Sequence, residues 1–108
     1  MPFSDKPWSS ISESDYPDAG AFCDASLINL NDGPREQWTK QNCKLPVKEP
    51  GGAYNRNGIH AAAAALAGAR GGVQAPPEAK RKAARALIRL YRQMNEEPPE
   101  SLRRIAGD

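Results

Sequence analysis

Residues 75–95, APPEAKRKAARALIRLYRQMN, form the stretch of sequence that decides the fold. Apolar side chains recur in it at the three- and four-residue spacing of one helix face, which predicts a buried stripe. The members of that stripe are Ala84, Leu87, Ile88, Tyr91 and Met94. The proline pair at 76–77 suits the first turn of a helix, and the pair at 98–99 stops it. We therefore predict a helix over residues 77–95.

The same stretch is strongly basic, with no acidic residue from Ala79 to Asn95. Three of its arginines stand four residues apart and form one ridge beside the apolar stripe. Like charges at this spacing destabilise a helix by about 0.2–0.5 kcal/mol per pair, so we expect a partner outside the helix to compensate them. A phosphate backbone or an acidic protein surface would do so, although a solvated basic face explains the same pattern. The candidate contact residues are Lys80, Arg81, Arg85, Arg89 and Arg92.

The whole chain has 108 residues, of which 39% are hydrophobic and only 6% are aromatic. These fractions are low for a globular domain, and much of the apolar content is alanine, which buries little area. Ten prolines and nine glycines add turns and loops. This composition excludes a barrel, a long helical bundle and a two-lobed enzyme. It predicts one small, helix-rich domain with a thin core that gains stability from a partner.

Charge is divided unevenly along the chain. Residues 1–55 have five basic and eight acidic side chains, a net charge of −3. Residues 56–108 have ten basic and five acidic side chains, a net charge of +5. The formal total of +2 therefore conceals an acidic first half and a basic second half. Such a division is typical of polyanion binding, and it also suits self-association in which the front of one copy meets the back of the next.

The N-terminal segment, residues 1–20, is rich in proline, serine and aspartate. This composition predicts an irregular arm ahead of a single small domain at residues 21–108. Trp8 and Ile11 are the candidate anchors of the arm, because they are large apolar side chains in a polar segment. Such anchors dock either on the domain itself or on a neighbouring subunit.

A short apolar run at residues 21–30 fits either a strand or a short helix, because it is too short for its periodicity to decide. Strong turn residues follow it at 31–34. We predict a two-stranded hairpin within about 24–45, in which about 24–30 pairs with 39–45. Two strands alone are barely stable, so the hairpin must pack on the helices.

Two further helices are predicted, at about 59–69 and 99–106. Asn57 is the expected N-cap of the first, and Gly68 is one of the glycines that allow its end. The predicted fold class is therefore α+β and mostly α, with a small β-hairpin packed on two to three helices and an irregular N-terminal arm.

The residues that most often carry chemistry are few. Cys23 and Cys43 are expected to be free thiols because a cytosolic chain is the default, although the sequence leaves their pairing open. Together with His60 they lack the close Cys-x-x-Cys spacing of a metal site, so no metal is expected.

His60 has no recognisable nucleophile beside it and suits a surface or capping role at a helix start. Neither enzyme activity nor a cofactor is expected, and no apolar run approaches the roughly 18 residues that cross a bilayer.

Three segments of the chain resemble a module of tailed-bacteriophage head proteins. They are FCDASLINLN at 22–31, NCKLPVKEPGGAYNRNGIHAAAAALAGARGGV at 42–73 and APPEAKRKAARALIRLYRQMNEEPPESL at 75–102. The module accompanies prohead-protease-like and other head-morphogenesis polypeptides, and the resemblance covers about residues 16–102. No protease catalytic residue has a matching position here, so protease activity is not implied.

The resemblance implies a protein of the virion, present in the host cytoplasm during assembly. We expect a non-enzymatic head-associated structural protein of the decoration, cement or minor capsid type, which binds the capsid shell or its assembly intermediates. Its basic helix would contact acidic protein surface. The alternative is a nucleic-acid-binding module whose basic helix contacts phosphates. Because aromatics are scarce in the basic half, base stacking is poorly supported, and no membrane partner is expected.

Overall fold

The computed structural model describes residues 3–107, which fold into four α-helices and one two-stranded antiparallel sheet. The helices are α1 (Ala19–Asp24), α2 (Arg56–Leu66), α3 (Pro77–Gln93) and α4 (Glu100–Ala106), and the strands are β1 (Ser26–Asn29) and β2 (Cys43–Pro46). The predicted class, α+β and mostly α, is confirmed. Within the described residues, no helix is both long enough and apolar enough to pass through a bilayer.

The amphipathic helix α3 organises the larger of two hydrophobic clusters. All five residues of its predicted apolar stripe are buried, and Leu87 is completely inaccessible to solvent. Pro77 takes the first helical position as expected, and the helix ends at Gln93, two residues before the predicted end. Asn95 has a left-handed φ of 60°, a conformation that ends a right-handed helix. The C-terminal helix α4 packs on α3 and places Leu102 in the same cluster.

The hairpin forms where it was predicted, but its strands are shorter. β1 and β2 pair from Ser26 opposite Pro46 to Asn29 opposite Cys43. The predicted start at residue 24 is wrong because Asp18 caps α1 through the backbone N–H of Ala21, which keeps residues 19–24 helical. The apolar run at residues 21–30, which fitted either a strand or a helix, therefore contains both: the end of helix α1 and the whole of strand β1.

Helix α2 begins at Arg56, three residues earlier than predicted, because Asn55 rather than Asn57 is its N-cap. The Asn55 side-chain oxygen accepts a hydrogen bond from the backbone N–H of Gly58 at 2.8 Å. The helix ends at Leu66, before the predicted residue 69, and Gly68 follows with a φ of +116°, as its expected role in the helix end requires.

The described part of the arm lies on its own chain. Ser4 exchanges backbone hydrogen bonds with the segment before α2: its N–H donates to Tyr54 O and its carbonyl accepts from Arg56 N–H, both at 2.8 Å. Trp8 lies so close to Gly58 that a Cβ there would stand 3.0 Å from the indole ring. Ile11 packs against the smaller hydrophobic cluster. Within this one copy, both anchors therefore contact the domain that follows the arm.

The smaller cluster contains a disulfide bond between Cys23 and Cys43, so the expectation of free thiols is wrong. The end of α1 and the start of β2 bring the two Cα atoms to 5.3 Å, within the range that a disulfide spans. Asn31 lies beside the bond, with its amide nitrogen 3.5 Å from one sulfur and 3.3 Å from the other. The expectation of free thiols rested on the redox compartment alone. The compartment says nothing about how close the fold brings the two cysteines, so the expectation failed.

Candidate basic interface on α3

The cations of α3 gather on the side of the helix opposite its buried stripe. An α-helix turns about 100° per residue, so five of them fall within an arc of roughly 100°. All five are exposed, and we call this surface the α3 basic face. Its members are Arg81, Lys82, Arg85, Arg89 and Arg92. Lys80 does not join them, because it lies about 100° from its nearest member and is half-buried.

The α3 basic face has no ion-pair partner among residues 3–107. Three arginines outside α3 are paired: Arg35 with Asp24, Arg56 with Asp5 and Glu96, and Arg103 with Glu97. On α3 the only acidic residue is Glu78, which lies in the first turn, where it complements the helix dipole. The mutual repulsion on the face is therefore not relieved by the described part of the chain.

The chemistry of the α3 basic face suits carboxylates or phosphates. Four of its five members are arginines, whose planar guanidinium groups donate paired hydrogen bonds to either anion. The one aromatic residue of the helix, Tyr91, is buried against His60. α3 therefore presents no exposed aromatic ring on which a base could stack, and charge is the main feature of its surface.

A second charged cluster, which the sequence did not predict, joins the arm to α2 and to the segment after α3. One oxygen of Glu96 accepts a hydrogen bond from Arg56, and the other lies 2.7 Å from His60 Nε2. Arg56 also donates to Asp5 at 3.0 Å. His60 was expected at a helix start, but α2 begins at Arg56, so His60 is its fifth residue, and its partner Glu96 comes from a segment 36 residues away. No local spacing signals such a contact, so only the tertiary structure identifies it.

The hydrogen bonds from His60 and then Arg56 hold the pKa of Glu96 below its ordinary value of 4.5. A carboxyl whose pKa is lowered by folding stabilises the protein above its ordinary pKa, and this contribution disappears as the pH falls through the lowered value. The groups that face it are His60 and Arg56 from α2 and Tyr91 from α3.

We expect Glu96→Gln to lower the free energy of unfolding by about 1 kcal/mol at pH 7, because a partly exposed charged hydrogen-bond acceptor is lost. The difference between the variant and the wild type should begin to shrink as the pH falls below about 4.5 and continue to shrink as the wild-type carboxyl takes up its proton. Urea unfolding at a series of pH values measures it. A difference that stays constant down to pH 3 would contradict the assignment.

Two open clefts flank Trp8. One, of about 530 Å³, is lined by aromatic side chains that include Tyr16 and Phe22, and the other, of about 590 Å³, runs along the alanines of α2. Within residues 3–107, no group of three or more His, Cys, Asp or Glu side chains is arranged to hold a metal ion. Charged and polar side chains also line the first cleft, so only the second is mostly apolar, and the concentrated positive charge lies on α3.

The fold and this surface define a small α+β protein that presents one basic helix face. Comparison of the chain with protein-family models, with curated proteins and with solved structures finds no match in any of the three. Function is therefore argued from the geometry and charge of the surface itself.

Proposed function

We propose that this protein is a non-enzymatic, head-associated structural protein of a bacteriophage that binds the capsid shell or its assembly intermediates through the α3 basic face. The observation that carries the proposal is the set of exposed cations on one helix face with no ion-pair partner in the described chain. An acidic patch on a shell protein would neutralise them. The resemblance to head-morphogenesis modules supplies the bacteriophage context, with the virion and the host cytoplasm during assembly as its location.

The thin core supports attachment to a larger assembly. Binding that favours the folded state adds to its stability by mass action, so a small domain gains from a permanent partner. The arm is not the element that we assign to this contact, because Ser4 and Trp8 are already engaged with the segment around α2. Deleting the arm would damage the fold, so surface substitutions on α3 are the better test.

Cosedimentation with purified heads of the phage that encodes the chain tests the proposal. We expect wild-type protein to sediment with heads at low salt and the variant Arg85→Glu/Arg89→Glu to stay in the supernatant. Lys80→Glu changes one charge on the same helix away from the face and should bind heads like wild type. If wild-type protein fails to sediment with heads at every salt concentration, the proposal is wrong.

A second candidate is a nucleic-acid-binding module, favoured by the arginine content of the face. Arg81, Arg85 and Arg89 lie on one ridge, and with Arg92 the face extends about 16 Å along the helix axis. Such a row suits the phosphate backbone of duplex DNA, whose recognition requires no base contact.

If duplex DNA binding is the function, we expect the logarithm of the binding constant to fall linearly with the logarithm of the salt concentration, because each phosphate contact releases a counterion. Arg85→Glu/Arg89→Glu should reduce the affinity at least about tenfold and lower the magnitude of the salt slope by about 2. Fluorescence anisotropy with a labelled duplex measures both, with Lys80→Glu as the matched control. Absence of binding by wild-type protein at low salt would eliminate this candidate.

A further inference from the structure

A surface hollow formed by residues from the first half of the chain is acidic. It has a volume of about 380 Å³ and is lined by Asp18, Ala19 and Gly20 at the start of α1 and by Arg35, Glu36 and Trp38 from the loop before β2. We call it the acidic hollow. It lies against the smaller hydrophobic cluster, on which Trp38 packs, whereas α3 belongs to the larger one.

The single arginine of the acidic hollow does not neutralise it. Arg35 donates one hydrogen bond to each carboxylate oxygen of Asp24, at 2.8 and 2.7 Å, and its guanidinium carbon lies 5.5 Å from the ring centre of Trp38. With Arg35 held by Asp24, the carboxylates of Asp18 and Glu36 have no ion-pair partner among residues 3–107. The hollow therefore presents two carboxylates without an ion-pair partner, and carboxylates bind guanidinium groups through paired hydrogen bonds.

The acidic hollow and the α3 basic face complement each other, and within one copy no ion pair joins them in the described chain. We propose that the α3 basic face of one copy docks into the acidic hollow of a second copy. This inference rests on the proposed function, because both use the α3 basic face as the contact surface. It names a second copy of the chain as one acidic partner of that face.

The contact joins two different surfaces, so it is a head-to-tail contact. Such contacts form closed rings when the rotation between copies closes and open chains when it does not. Because the α3 basic face also makes the proposed shell contact, a copy whose face is docked on a second copy cannot bind the shell through it, so the two contacts compete. The charges are exposed, so the attraction is screened by salt within a Debye length of about 10 Å at 0.1 M.

Charge reversal on each surface tests the docking by sedimentation velocity. The hollow variant is Asp18→Asn/Glu36→Lys, in which asparagine retains the N-cap of α1 while the charge is lost. The face variant is Arg85→Glu/Arg89→Glu. We expect wild-type protein to self-associate at low salt and to associate at least about tenfold more weakly in about 0.5 M salt. Each variant alone should remain monomeric. A mixture of the two should associate again, because the intact face of the hollow variant meets the intact hollow of the face variant.

Asp32→Lys is the matched control, because Asp32 is exposed outside the hollow and the charge change equals that of Glu36→Lys. It should associate like wild type, and circular dichroism confirms that each variant is folded. A monomeric wild type at low salt, a hollow variant that still associates, or a mixture that stays monomeric would each overturn the docking. The hollow variant retains the α3 basic face, so its binding to heads or DNA reports on the proposed function separately.

Discussion

Replacing Asn55 with alanine is expected to lower the free energy of unfolding by about 3 kcal/mol, a large fraction of the stability of a small domain. Asn55 is the one fully buried polar side chain among the described residues. Its amide nitrogen donates to Lys6 O at 3.1 Å and to Glu49 Oε2 at 2.9 Å, and its oxygen caps α2 through Gly58. Alanine removes the cap and leaves buried partners unsatisfied.

The matched control is Asn57→Ala, two residues along the same segment. Asn57 is exposed and donates to the carbonyls of Asp5 and Lys6. Water replaces these bonds when the side chain is removed, so the expected loss is below about 1 kcal/mol. Urea unfolding of both variants measures the difference. Equal losses would show that Asn55 is not the organising residue of this junction.

Removing the disulfide bond is expected to cost about 3 kcal/mol, because the cross-link restricts the unfolded chain over 20 residues of sequence separation. The variant Cys23→Ser/Cys43→Ser should therefore melt about 10–20 °C below wild type. Thermal unfolding followed by circular dichroism measures the change. A dithiol reductant should lower the melting temperature of wild-type protein by a similar amount.

The same reductant serves as the control for this prediction. The double serine variant has no bond to reduce, so its melting temperature should not respond. If wild-type protein is equally insensitive under conditions that reduce the bond, the disulfide does not stabilise the fold as expected. Disulfide bonds persist in oxidising surroundings, so the reductant concentration at which the bond opens also measures how resistant it is to reducing conditions.

Part of the fold and of the candidate site was predictable from local spacing. The apolar stripe of α3 repeats every three or four residues, and the same geometry that buries it turns Arg85 and Arg89 outward. Lys80 shows the limit of counting charges, because it belongs to the same basic stretch but lies off the face. Helical geometry separates it from the face, so its place among the candidate contact residues came from composition alone and not from angular position.

Other features required knowledge of which distant segments meet. Two asparagines stand two residues apart before α2, and both are good N-caps. Asn55 is the cap because the arm and Glu49 surround its amide. The Glu96 cluster and the acidic hollow have the same origin, since each combines side chains from separate segments.

By itself, the sequence determined the class of the fold, the buried stripe of α3 and the cations on its outer side, because these depend on residue types at a regular local period. Only the tertiary structure decided the pairing of Cys23 with Cys43, the choice of Asn55 as a cap and the acidic hollow. The reason is physical: periodicity expresses the geometry of one element, whereas a contact between elements depends on how their apolar faces pack. That packing joins residues far apart in the chain, and no local pattern contains it.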